Sequence, residues 1–244
     1  MSDGGTTGRV LWVTGAGSGM GRAAAVAAAA AGWRVALSGR REGALAETAR
    51  VITDAGGEAL VLPLDVADTA AVAAARAQVA EQWGPVRGLV LAAGLNAPRR
   101  TWGDQDLGEL EQIVATNLVA VARVVDAALP DLRATAGVVV VVSSYAGWSF
   151  SPGAGVAYSA SKTALASLCR TLNAHEAASG VRACHLCPGD VDTDFLAMRP
   201  QVPDASAREV MLTADDVARA VQFVLDAPAH VRIDELVISP VSQR

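Results

Sequence analysis

Tyr158 and Lys162 stand four residues apart, and Lys162 is the only lysine among the 20 Lys and Arg residues of this 244-residue chain. Where a positive charge alone is wanted, the chain uses arginine; at position 162 it keeps an ammonium. On a helix, positions i and i+4 lie on one face, so the phenol and the ammonium can share a site. A free tyrosine has a pKa of about 10 and is a poor base near neutrality. A nearby cation favours the phenolate and lowers that pKa. Lysine suits the task, being a compact point charge with three rotatable donors. The chemistry such a pair supports is proton transfer at a substrate oxygen. Tyr-x-x-x-Lys alone is a weak pattern that chance can supply, and the lone lysine speaks against chance.

These two residues need elements to position them. Arg9–Thr14 is a short apolar run that reads as a buried parallel strand. It is followed by Thr14-Gly15-Ala16-Gly17-Ser18-Gly19-Met20-Gly21 and the helical stretch Arg22–Ala31. Strand, glycine-rich turn and helix form a dinucleotide-binding arrangement. The glycines let backbone approach a pyrophosphate, and the helix N-terminus points N–H groups at it. The spacing Gly15-x-x-x-Gly19-x-Gly21 differs from the common G-x-G-x-x-G, and alone it could be a plain turn.

Further strands are expected at Trp33–Gly39, Glu58–Leu64, Val86–Ala92, Gly137–Ser143, Val181–Leu186 and Ile233–Ser239. Helices are expected at Arg40–Ala55, Asp68–Trp83, Leu107–Leu129, Ala157–Ala178 and Thr213–Asp226, the last with Thr213 as N-cap and Asp216 three residues on. Residues 95–105 form a polar loop, and residues 190–212 show no period and read as a mobile substrate loop. The alternation predicts an α/β fold: one Rossmann-type domain over residues 1–244, doubly wound, with about seven parallel strands and helices on both faces. Residues 1–8 read as a flexible N-terminus. Ligands of such sheets sit beyond the carboxyl ends of the strands.

Composition excludes other classes. A net charge of −5 argues against nucleic acid or an anionic membrane surface as partner. The leading residues show no signal pattern, and the apolar runs Ala23–Ala31 and Val138–Val142 are too short to span a bilayer. A soluble, cytoplasmic protein is the expectation. Cys184-His185-Leu186-Cys187 spells C-x-x-C, but at the end of an apolar strand and without a second pair; no metal site is expected.

Taken together, Thr14-Gly15-x-x-x-Gly19-x-Gly21, Asp65, Asn117, Ser144, Tyr158-x-x-x-Lys162 and Pro188-Gly189 with Thr193 resemble the short-chain dehydrogenase/reductase family over almost the full chain. The resemblance implies roles. Tyr158 would be the general acid/base, and Ser144 would hydrogen-bond the substrate oxygen. Lys162 would lower the Tyr158 pKa and hold the nicotinamide ribose, while Asn117 would position a water next to Lys162. Gly15, Gly17, Ser18, Gly19, Met20 and Gly21 would cradle the pyrophosphate. Asp65 and Val66 would meet the adenine, beside Ala93 and Gly94. Pro188, Gly189, Val191 and Thr193 would face the nicotinamide end, with Val191 and Thr193 at the carboxamide and phosphates. One departure stands out: the family usually has Asn-Asn-Ala-Gly where this chain has Leu91-Ala92-Ala93-Gly94. The C-terminal part, with Leu212-Thr213-Ala214-Asp215-Asp216-Val217 and Pro228-Ala229-His230-Val231, resembles bacterial NADP-dependent 3-hydroxy acid (serine and allo-threonine) dehydrogenases.

The second strand ends Ser38-Gly39-Arg40-Arg41, with no acid to repel a 2′-phosphate. Arg40 offers a planar fork for phosphate oxygens and Ser38 a hydroxyl. NADP is therefore expected ahead of NAD, and hydride transfer to or from a small carbonyl or secondary alcohol, a 3-hydroxy acid among them. Competing readings are an NAD-linked ketoreductase of a sugar, polyol or 3-oxoacyl substrate, a sugar-nucleotide epimerase or dehydratase, and a non-catalytic cofactor sensor. Arg99 or Arg100 could fork onto a substrate carboxylate, with Trp102, Trp148, Phe150 and Met198 as apolar walls. Family members pair helices equivalent to Leu107–Leu129 and Ala157–Ala178, so a homodimer or homotetramer is expected, with Val121, Ala122, Val124, Val125, Ala164, Leu165, Leu168 and Leu172 as the apolar residues concerned.

Overall fold

The structure, a computed structural model, describes residues 8–243. The expected flexible N-terminus lies outside these residues apart from Gly8. Strands form where Val and Leu run continuously, as in Val138–Val142, five valines that are all buried. Such runs suit a parallel sheet covered on both faces. The strands are β1 (Arg9–Thr14), β2 (Trp33–Gly39), β3 (Glu58–Pro63), β4 (Gly88–Leu91), β5 (Val138–Val142), β6 (Arg182–Pro188) and β7 (Glu235–Ile238). They make one parallel sheet in the order β3-β2-β1-β4-β5-β6-β7.

Helices α1 (Gly19–Ala30), α2 (Glu42–Asp54) and α9 (Ala214–Leu225) cover one face, where Ala25, Ala28, Leu45, Val217 and Val221 pack on Leu11, Val13 and Val35. Helices α3 (Thr69–Trp83), α5 (Ala120–Thr135) and α7 (Val156–His175) cover the other, where Val72, Val124 and Leu165 pack on Trp12, Leu89 and Val139. The chain reverses direction across the sheet between β1 and β4, which opens the ligand crevice at their carboxyl ends.

Two segments differ from expectation. The helix starting at Leu107 does not stop before Pro130. It runs as α4 (Leu107–Val114), a π turn (Ala115–Val119) and α5 to Thr135. Pro130 is tolerated because tertiary bonds hold the turn beyond it. Asp131 pairs with Arg76 of α3 and accepts from Val86 N at 3.3 Å, and Thr135 Oγ1 donates to Val86 O at 3.3 Å. This stretch of 29 residues is long and apolar enough to cross a bilayer by length and composition. Here its buried face packs on the sheet. Residues 190–212 carry structure that a 3.6-residue period cannot reveal: a 3-10 turn (Asp194–Met198) and the short helix α8 (Ala205–Arg208). Arg199 pairs with Asp190 at 2.5 Å and Arg208 with Asp192 at 2.7 Å, and a Val191–Leu212 bridge closes the loop. The remaining helices are α6 (Tyr145–Trp148) and the expected α9, whose capping box joins Thr213 and Asp216.

Candidate active site

The first half of the site is made of backbone. Gly15 has φ 68°, and a Cβ there would lie 2.7 Å from Ala93 N. A Cβ on Gly21 would lie 2.3 Å from the Gly15 carbonyl oxygen. Only glycine fits either position, so the turn after β1 lies directly against the end of β4. Thr14 braces this junction in place of the family's asparagines. Its carbonyl accepts from Ala92 N at 3.3 Å and its Oγ1 from Ala93 N at 3.4 Å. The first turn of α1 carries no acid, leaving its N-terminal dipole open to an anion.

A cavity of about 380 Å³ lies here, lined by Gly15, Ser18, Gly19, Met20, Gly21, Gly39, Arg40, Asp65, Val66, Ala93, Gly94 and Thr193, all expected from the sequence. Two expectations fail. Gly17 does not line the cavity; it faces α2, where a Cβ would lie 3.1 Å from that of Ala44. Ser38 is fully buried and its hydroxyl accepts the Trp12 indole N–H at 2.9 Å, so it cannot serve a phosphate. Arg41, overlooked in the sequence, lines the cavity, and its Nη2 donates to Ser18 Oγ at 3.1 Å. The adjacency of Arg40 and Arg41 was visible; which of them turns back over Ser18 depends on the start of α2.

The second half gathers Asn117, Ser144, Tyr158 and Lys162. Lys162 is 4% exposed, and its Nζ donates to the Val142 carbonyl at 2.9 Å. Burial pulls its pKa down from 10.5 to about 8. Nζ lies 5.8 Å from the Tyr158 ring centroid. Burial pushes the Tyr158 phenol up. Opposing this are a hydrogen bond with Ser144 and the charges of Arg100 and Arg199. The Lys162 ammonium stands beside the phenol while bonded to a strand carbonyl, and the charges of Arg100 and Arg199 add to the positive surroundings of Tyr158. Asn117 sits in the π turn with both ends of its amide engaged. Oδ1 accepts from Leu95 N at 2.7 Å, while Nδ2 donates to Leu95 O at 2.9 Å and Ser161 Oγ at 3.2 Å. It pins the chain just past Gly94. A Cβ at 94 would lie 3.7 Å from Asn117 Oδ1 and 3.9 Å from Lys162 Nζ, so both stand directly behind that glycine. Ser144 caps α6, with Oγ accepting from Ala146 N at 3.2 Å.

A larger cavity of about 500 Å³ opens in front of Ser144 and Tyr158, and Pro188, Gly189, Val191 and Thr193 line it. Met20, Thr193 and Phe195 line both cavities, which makes them one cleft. Phe195, not singled out in the sequence, packs against Tyr158 with the rings tilted by 46° and their centroids 6.1 Å apart. The expected apolar walls differ. Trp102, Trp148 and Phe150 are 80%, 50% and 87% exposed and line neither cavity, and Met198 lines the smaller one. Arg99 is held outside by Glu109 at 3.0 Å and Asp106 at 3.5 Å, whereas Arg100 points into the larger cavity.

Strand pairing also brings together His185, Cys187 and Glu235, which sequence spacing does not reveal. His185 Nδ1 lies 3.1 Å from Glu235 Oε2 and 3.3 Å from Cys187 Sγ. Burial pushes the Cys187 thiol up to about 12, with the Glu235 charge adding to it, so the group is a hydrogen-bonded core cluster with little thiolate to offer a metal.

A glycine cradle at a helix N-terminus fits a pyrophosphate, and a cleft leads from it to a buried phenol, hydroxyl and ammonium. That layout defines a nicotinamide-dependent oxidoreductase. The short chain dehydrogenase family model matches residues 9–203, and the chain belongs to that family. It is 35% identical to sulfoacetaldehyde reductase 2 of Chromohalobacter salexigens, over 96% of this chain and 95% of that one. Among solved structures, it is similar to an alcohol dehydrogenase from the archaeon Thermococcus sibiricus complexed with 5-hydroxy-NADP, at TM-score 0.87 and 32% identity, over 97% of this chain and 98% of the other. A closed form of serine dehydrogenase complexed with NADP+ superposes at TM-score 0.88 with 28% identity, over 96% of each chain.

Two outcomes follow from this geometry. Tyr158→Phe removes a hydroxyl and no volume, so kcat should fall by about 10²–10⁴-fold while cofactor affinity holds; a loss below tenfold in a steady-state assay would refute the assignment. For Lys162 the folded pKa lies below the unfolded one. The cost of burying the ammonium is therefore full below about pH 8 and fades as pH rises toward 10.5. Lys162→Met should raise the unfolding free energy at pH 7 by on the order of 1–3 kcal/mol, and the Tm with it, with the gain shrinking above pH 8. Calorimetric melts across that range check the sign.

Proposed function

We propose that the protein transfers a hydride between NADP(H) and a small carbonyl compound or secondary alcohol. Bound nicotinamide supplies or takes the hydride. Tyr158 gives the proton to the substrate oxygen in reduction and accepts it in oxidation. The Ser144 hydroxyl hydrogen-bonds that oxygen and orients it. Lys162, anchored on the Val142 carbonyl, presents its remaining donors to the ribose. Asn117 fixes Leu95 and thereby the floor beneath Gly94. The reading rests on one observation: the cradle and the Ser144–Tyr158 pocket share the walls of a single cleft. The relatives named above, which act on sulfoacetaldehyde, serine or an alcohol by their names, support a small substrate.

NADP is favoured over NAD by the end of β2. Gly39 puts no carboxylate there, and Arg40 and Arg41 line the cavity, with Arg41 held over Ser18. A basic residue in the glycine-rich turn is thus replaced by one reaching in from the start of α2. The wild type should show higher kcat/KM with NADPH than with NADH. Gly39→Asp and Arg41→Ala should each lower that ratio by about tenfold, which is about 1.4 kcal/mol. A wild-type preference for NADH, or ratios unmoved by both substitutions, would overturn this choice.

We further propose self-association through α4, α5 and α7. Val121, Val124, Val125 and Leu165 prove to be core residues of one subunit. Ala122 and Val119 are exposed, and Ala164, Leu168 and Leu172 are partly exposed, leaving an apolar strip on this helical layer. Light scattering at micromolar concentration should report a dimer or tetramer; a 25 kDa species alone would remove the idea.

A further inference from the structure

Two cations face Tyr158 across the larger cavity. Arg100 comes from the loop after β4, and Arg199 from the segment after the 3-10 turn; both charges act on the phenol. Arg100 is fixed in place. Its Nε donates to Ala97 O at 2.9 Å, Nη1 to Gly153 O at 3.0 Å and Nη2 to Met198 O at 2.9 Å. These carbonyls come from three different segments, so the guanidinium is preorganised. They take three of its five N–H donors, leave two for a ligand and bring no negative charge. Among the described residues Arg100 has no carboxylate partner. Burial and the nearby Arg199 charge pull its pKa down from 12.5.

Arg199 differs. It pairs with Asp190 at 2.5 Å, and Asp190 is the one acid lining this cavity among the described residues. The lining thus holds two positive charges and one negative. A half-buried cation without a counter-charge is unfavourable, and it is most readily offset by an anion entering the cavity. Asp190 already occupies one guanidinium in the way such an anion would. Its backbone N–H is separately held by Gln243 Oε1 at 2.9 Å, so its carboxylate can release Arg199 without freeing the loop.

We propose that this cavity takes a small carbonyl or hydroxy compound bearing a carboxylate or sulfonate, with Arg100 as the fixed counter-ion and Arg199, lent by Asp190, as the second. The inference rests on the proposed oxidoreductase reading and names the substrate class within it. Planar guanidiniums match the oxygens of either anion, and charge-assisted bonds of this kind are stronger than neutral ones. A neutral substrate of the same size leaves Arg100 uncompensated and gains nothing from it. Asp190 then sets a threshold, since an entering anion has to displace it from Arg199.

The test compares NADPH-dependent reduction of sulfoacetaldehyde and 3-oxopropanoate with that of propanal. For the wild type, kcat/KM for the two acids should exceed that for propanal by at least about 100-fold. Arg100→Met and Arg199→Met should each cut that acid-to-propanal ratio at least tenfold, mainly through KM of the acids. Asp190→Asn should lower KM for the acids. Equal kcat/KM for acids and propanal, or ratios unmoved in both arginine variants, would overturn the proposal while leaving the oxidoreductase reading intact. If no carbonyl is turned over, that reading fails, and binding still decides the subsite. Calorimetric titration of the protein in saturating NADP+ with 2-hydroxyethanesulfonate and with 3-hydroxypropanoate should show binding that Arg100→Met abolishes and that 1,3-propanediol lacks. Absence of binding by both acids overturns the proposal. Since Arg100 ties three segments together, thermal melts of each variant accompany the assay, and Arg199→Met, which breaks no backbone contact, carries the test if Arg100→Met does not fold.

Discussion

A single ammonium is held under the cleft with almost no water around it. Lys162 lies beneath Gly94, bound to the carbonyl at the end of β5, and its burial is unfavourable enough to bring its pKa down to about 8. Such a group persists only if the fold around it is over-determined. The surroundings meet that condition. Beta-strand β5 is a run of valines locked between β4 and β6, and α7 holds Lys162 and Leu165 against it. The sheet is covered on both faces, so the ammonium has no route to solvent except toward the cleft.

The same compactness explains the π turn. An extra residue in the helix at Ala115–Val119 swings Asn117 inward, and its amide clamps Leu95 from both sides. That clamp sets the height of the loop above Lys162. Gly15, Gly21 and Ala93 meet at contact distance on the other side of it. A helix irregularity at a functional site is a recurring device. Here its effect is to place a backbone floor, free of side chains, between the glycine turn and the reacting groups.

Charge then divides the cleft by task. Arg40 and Arg41 line the cavity at the end of β2, and two other arginines stand across from Tyr158. The phenol is pushed up by burial and drawn down by Ser144 and those two cations. The arginines of the larger cavity therefore act on the phenol as well. Under the proposed anionic substrate, binding of charge and tuning of the phenol would be coupled through the same groups.

Much of this was legible in the chain itself. Valine and leucine runs, glycine turns and alternating helices specify a parallel sheet, because each pattern satisfies its local geometry in only one way. The lone lysine four residues after Tyr158, Ser144 at a strand end and the glycine spacing are local features too, and the structure brings them to one cleft. What the sequence could not supply were contacts between residues far apart in the chain. Ser38 looks available until Trp12, 26 residues away, takes its hydroxyl. Arg99 and Arg100 are adjacent, yet Glu109 holds one outside while the carbonyls of Gly153 and Met198 draw the other in. The helix passes Pro130 because Arg76, 55 residues from Asp131, anchors the turn beyond it. Side-chain direction is set by the partner that satisfies each polar group, and those partners arrive only when the chain is folded.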